Sequence, residues 1–136
     1  MIRATVKSAH VIGVTGCPVD VTVTYTPGKP SFAFAGVSPT AASEARVRVK
    51  SALAVWGLRA EGGITVSLSE PVQNAAPLDL AIAVGVIRAS GDNSMRDDAV
   101  LYGELALDGD IRRVAGALPV ALALEPGTVL ILPEES

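Results

Sequence analysis

The residues of this chain that could do chemistry are few, and the missing types narrow the choice as much as those present. His10 is the only histidine and Cys17 the only cysteine. One of each builds neither an intrachain disulfide nor a zinc site of the Cys/His type, so no metal is expected. A Ser-His or Cys-His nucleophile would have to draft His10 from the first strand, and Cys17 reads more simply as a small buried hydrophobe. The option that needs no histidine is a Ser-Lys dyad. Lys7, Lys29 and Lys50 are the only lysines. Ser67, Ser69 and Asp79, which a divergent hydrolase would use, therefore have no lysine after them in the chain.

Phosphate chemistry fares no better. The single glycine-lysine stretch, "TPGKPS", lacks the G-x-x-x-x-G-K-[ST] spacing, and the proline after its lysine removes an N–H that phosphates would want. It reads as a turn, and no cofactor is expected. Basic residues offer a third kind of chemistry. Arg46, Arg48 and Lys50 lie on one expected helix, and Arg112 and Arg113 lie together on a later strand; Arg59 and Arg88 are scattered elsewhere. These are the candidate DNA contacts. A net charge of −3 and a pI near 5.0 limit them to a weak, local contact, and a solvated helix face braced by a Glu44–Arg48 pair is the competing reading.

The elements that must position these residues follow from periodicity. Val19, Val21, Val23 and Tyr25 alternate with polar residues, which is the period of a half-buried strand. Residues 2 to 7 and 10 to 14 read as strand before it, and "SFAFAGV" as strand after it. Ser38-Pro39 opens a helix that Gly57 closes, with Ala42, Ala45, Val49, Leu53 and Trp56 on its apolar face and the basic residues on the other. "ITVSLS" is a strand, and Leu78 to Ala89 is a helix apolar nearly all round, so it belongs to the core. Asp79 is its exception. In the first turn of a helix it meets the positive end of the dipole and free N–H groups, which predicts a structural carboxylate with a lowered pKa.

Residues 99 to 107 read as strand, Asp108-Gly109 as a hairpin turn and 111 to 114 as the returning strand. A helix over 115 to 124 and a buried strand "TVLILP" complete the order β-β-β-α-β-α-β-β-α-β. With 136 residues, 49% of them apolar, and with no repeat or linker, this is one α+β domain over residues 1–136 in which three helices pack on a mixed sheet. No apolar run reaches membrane-spanning length and no signal peptide is evident, so a cytoplasmic location is expected.

The stretches "KPSFAFAGVSPTAASEARVRVKSALAVWG", "ITVSLSEP", "LDLAIAVGVI", "GELALDGDIRRVAGALPVALAL" and "LILP", taken in order, resemble the N-terminal domain of the magnesium-chelatase-like AAA+ proteins of the ComM type. The resemblance implies a fold shared with the Lon proteolytic domain and the RadA C-terminal domain. It also implies that Asp79 stands where Lon has its nucleophilic serine and Leu118 where Lon has its lysine. Both dyad members would be missing, leaving a pseudo-protease, so the chain is not expected to be an enzyme. In such proteins an ATPase module follows this domain and the whole acts as a ring-forming motor on branched DNA during natural transformation. The phosphate-binding motif of that module is absent from these 136 residues. The implied role is a non-catalytic accessory domain whose partners are an AAA+ module or like subunits. The alternative is a free-standing, self-associating module related to the RadA domain.

Overall fold

The computed structural model describes residues 2–58, 61–91 and 98–134, so Arg59 lies outside the described residues. Its centre is a long hairpin, β1 (Ile2–Ile12) and β2 (Thr15–Thr26), paired antiparallel in unbroken register from Ile2↔Tyr25 to Ile12↔Thr15. The two short strands expected before residue 15 are thus one. The link Gly13-Val14 is a two-residue turn with Gly13 at φ +64°, a conformation in which a side chain would be strained. β4 (Gly63–Val72) pairs antiparallel on the other flank of β2, and β3 (Ser31–Val37) adds parallel to β4. Beyond β1, β5 (Val100–Leu101) and β8 (Leu130–Ile131) extend the sheet in parallel, giving the order β3-β4-β2-β1-β5-β8. The fold is α+β, with a mixed sheet and three helices, as expected. β8 is an edge strand and only partly buried, because no strand among the described residues pairs on its far side.

Helix α1 (Pro39–Val55) begins where the sequence places it: the Ser38 hydroxyl accepts the Ala41 N–H at 3.2 Å, and proline occupies the first turn. It buries Ala42, Ala45, Val49, Ala52 and Leu53. A short 3₁₀ turn, Ala76–Leu78, leads into α2 (Asp79–Ala89), whose residues are buried on nearly every side. Gly85 lets α2 settle on the sheet, since a Cβ there would stand 2.5 Å from Val23 Cγ2. α3 (Ala117–Ala123) lies against the opposite face. Gly16 has the opposite strand parity to Val23, and a Cβ at Gly16 would sit 2.4 Å from the Pro119 carbonyl oxygen. The core proper is the layer between α1, α2 and Val6, Val19, Val21, Val23, Ile64 and Val66 of the sheet. Each fully buried side chain there contributes about 1.5–3 kcal/mol.

The expected strand 99–107 divides in two. β5 joins the main sheet, the chain turns at Gly103, and β6 (Glu104–Leu105) pairs with β7 (Ile111–Arg112) in a separate two-stranded ribbon. The reason is local: Gly103 N–H donates to the Pro77 carbonyl at 3.0 Å, and its own carbonyl accepts from Leu80 N–H at 3.1 Å. Those bonds commit the segment to the start of α2, whose first N–H groups have no partner within the helix. The turn of the ribbon is a three-residue loop rather than the two-residue Asp-Gly type. Ala106 N–H bonds to the Asp110 carbonyl, and Gly109, at φ +90°, closes the bend.

Candidate functional site

Asp79 sits where α1, α2 and β6 meet, with 0% of its surface exposed. A carboxylate so placed must be fully partnered or neutral. Its partner on α1 is Arg48, which donates from Nε to Oδ2 at 2.6 Å and from a terminal nitrogen to Oδ1 at 3.2 Å, a bidentate pair. From β6 the Leu105 backbone N–H donates to Oδ2 at 3.1 Å. The expectation that Asp79 would accept N–H groups of its own helix start is thus corrected. Leu80 N–H is taken by the Gly103 carbonyl instead, so the carboxylate is free to tie three elements together.

The electrostatics correct a second expectation. Burial pushes the Asp79 carboxyl up, against the pull of Arg48 and of the Leu105 N–H, to about 6 instead of lowering it. Burial pulls Arg48 down, but Asp79 more than restores it, and the guanidinium ends above its ordinary value. One pair thus favours the arginine charge and disfavours the carboxylate charge, because Arg48 keeps 19% of its side chain in solvent and Asp79 none. Desolvation is borne by the sealed partner.

The ribbon is fastened to the same place. Trp56 Nε1 donates to the Gly109 carbonyl at 3.0 Å, and Gly109 lies close enough to Val55 and Trp56 that a Cβ would approach Val55 Cγ1 to 2.9 Å. The β6–β7 hairpin is clamped at its base by Asp79 and at its tip by Trp56. Leu118, the other position singled out by the resemblance, faces solvent on α3 with 69% of its surface exposed. Neither residue supplies an acid, base or nucleophile that a substrate could reach. Ser69 is also committed, its hydroxyl accepting the Asp20 N–H at 2.8 Å.

The basic residues do not form a strip. Arg48 turns inward to Asp79, and Glu44 approaches it at 3.9 Å as the four-residue spacing predicts. Arg46 lies on the other side, donating from Nε to the Phe32 carbonyl at 2.8 Å with its guanidinium 5.6 Å above the Phe34 ring. Lys50, four residues on, shares Arg46's side and is exposed. Arg112 and Arg113 are exposed on the ribbon, whereas Arg88 is buried at the end of α2.

One cluster escaped the count of residue types. His10 and Cys17 are cross-strand partners in the hairpin. His10 Nε2 is hydrogen-bonded to the Glu70 carboxylate of β4, and the three side chains offer ligand atoms that all lie within 4.8 Å of one another. Counting residue types gave no sign that the single histidine and the single cysteine face each other across the hairpin. The detectable signal was the glycine turn at residue 13, which sets 10 opposite 17.

With this geometry established, comparison with known proteins decides the family. The family model described as subunit ChlI of Mg-chelatase matches residues 21–136. The chain belongs to that family. Within it, the chain is 31% identical over its whole length to the uncharacterized protein YifB of Escherichia coli, of which it covers 28%. It is 35% identical over 92% of its length to the competence protein ComM of Haemophilus influenzae, covering 26% of that protein. An uncharacterized protein of Mycobacterium tuberculosis matches at 31% identity over 85% of the chain. The ComM-type resemblance read from the sequence therefore holds, and this ChlI-family chain spans about a quarter of the length of the relatives it matches.

Proposed function

We propose that this chain is a non-catalytic accessory domain of a ComM-like AAA+ motor, helping to assemble or regulate the ring. One observation carries the reading. At the position where the Lon-like resemblance would put a nucleophile, this chain has a carboxylate with 0% exposure, fixed by Arg48 and by a backbone N–H. A domain that keeps the layout around such a position and seals its centre retains shape as its use. The match to a competence protein and the relatives' roughly fourfold greater length fit a domain working beside other modules. The Lon and RadA likeness of the fold belongs to the same proposal, as does a cytoplasmic location. Among the described residues, no helix is long and apolar enough to cross a membrane.

DNA guidance is the minor part of the role. Arg48 is withdrawn from it by Asp79, leaving Arg46, Lys50, Arg112 and Arg113 for a sequence-independent phosphate contact that salt would weaken steeply. The alternative reading, a self-associating module, is favoured by α3, which presents Leu118 and Leu122, four residues apart and 69% and 77% exposed.

The test combines two assays. The purified chain is incubated with ATP and with casein, and its mass is followed by light scattering with and without the ATPase module of a ComM-type protein. No turnover above buffer, together with a complex that forms only with the module, is the expected outcome. Hydrolysis abolished by Asp79→Ala would overturn the reading, and stable self-assembly without the module would favour the alternative.

A further inference from the structure

The cluster at the open end of the sheet has a chemistry of its own. Continuous register places Val6 opposite Val21, Ser8 opposite Val19 and His10 opposite Cys17, so these residues share one face of the hairpin. On β4, Ile64 and Val66 share that face through their pairing with Tyr25 and Val23, and beyond the last paired residue, Leu68, the Glu70 side chain reaches His10. Three adjacent strands thus contribute an imidazole nitrogen, a thiol sulfur and a carboxylate oxygen to one spot on the core-bearing face.

We infer that His10, Cys17 and Glu70 form a binding site for a single divalent cation of the zinc class, which staples β1, β2 and β4 at the end of the sheet. The ligand types suit a borderline ion. A tetrahedral zinc with bonds of about 2.0–2.3 Å needs its ligand atoms roughly 3.3–3.7 Å apart, and the three here already lie within 4.8 Å of one another. Side-chain adjustment closes that gap, while the backbone is held by the strand pairing. The competing chemistry, a thiol activated through histidine by a carboxylate, would set sulfur and carboxylate on opposite sides of the ring. Mutual proximity of all three atoms marks a shared centre.

Charge and access agree. A thiolate and a carboxylate together neutralise a divalent ion. Apart from His10, the residues lining the adjoining cavity of about 670 Å3, Gln73, Asn74 and Tyr102 among them, carry no positive side chain. Glu70 keeps 42% of its side chain in solvent, so the ion has a way in. On binding, the thiol proton leaves to solvent, and the His10–Glu70 hydrogen bond gives way to the metal, the imidazole keeping its one proton on the ring nitrogen that faces away from the ion. Three protein ligands leave a fourth position for water or for a donor from a partner.

The site is independent of any motor role, and the test reads it directly. The metal-free chain is titrated with cobalt(II), followed by zinc competition. One cation per chain is expected, with a thiolate-to-cobalt charge-transfer band that zinc abolishes. Cys17→Ser should remove the band, and Cys17→Ser, His10→Gln and Glu70→Gln should each weaken binding by about tenfold or more. Circular dichroism of the metal-free variants checks folding; should His10→Gln fail to fold, the other two carry the test. A folded wild-type chain with no band, binding unchanged in Cys17→Ser, or one cation shared between two chains would overturn the proposal.

Discussion

Two clusters of ionisable side chains sit at different places in this fold, and their contrast separates a structural role from a chemical one. Asp79 has Arg48 on both oxygens and Leu105 N–H on one of them, and no exposed surface. His10, Cys17 and Glu70 hold one hydrogen bond among three groups and keep partial access to solvent. The first has spent its bonding capacity on joining α1, α2 and the β6–β7 ribbon. The second has capacity left over. The Asp79 carboxylate is thus a lock, while the second cluster keeps groups that a ligand could use.

The largest effect that would break this contrast comes from Arg48→Ala, which leaves a buried carboxylate without its cation. A loss of roughly 3–5 kcal/mol in urea unfolding is expected. A loss below about 1 kcal/mol would mean that water or another group partners Asp79 and that the lock is not built as described.

Next in size is the response to pH. The folded carboxyl holds its proton up to about 6, whereas the unfolded one releases it near 3.8, so the folded chain binds more protons between those values. Stability from this group is fully present below the unfolded pKa and is lost as pH rises through the folded one, by about 3 kcal/mol. The difference in unfolding free energy between wild type and Asp79→Asn, followed from pH 4 to pH 7, should therefore shift against the wild type as pH rises. A shift of the opposite sign would show that Arg48 outweighs burial. The smallest effect belongs to the second cluster: without metal, Glu70→Ala should cost less than about 1 kcal/mol, because its hydrogen bond with His10 is partly solvated.

How far these sites could be read from the sequence depends on the separation of the partners. Val19 to Tyr25 announces β2 by alternation, and Ser38-Pro39 and Gly57 bracket α1, since each signal lies within a few residues of its consequence. The Glu44–Arg48 pair is local and was legible for the same reason. Arg48's stronger partner is 31 residues away on another helix, and periodicity carries no information about which faces of two helices meet. For Asp79 the local dipole argument pointed to the wrong partners and the wrong sign of pKa shift, because only tertiary packing reveals complete burial. The cluster of His10, Cys17 and Glu70 was hidden by register. Reading residues 2–7 and 10–14 as separate strands hides the unbroken hairpin that puts His10 opposite Cys17.

The central claim is that Arg48 and Asp79 act as one structural unit joining α1, α2 and the β6–β7 ribbon. A double-mutant cycle in urea at neutral pH, using Arg48→Ala, Asp79→Ala and the double variant, tests it most directly. The account predicts a coupling energy of at least about 1.5 kcal/mol, with the double variant far more stable than the sum of the single losses implies. Additive single effects within about 0.5 kcal/mol would contradict it.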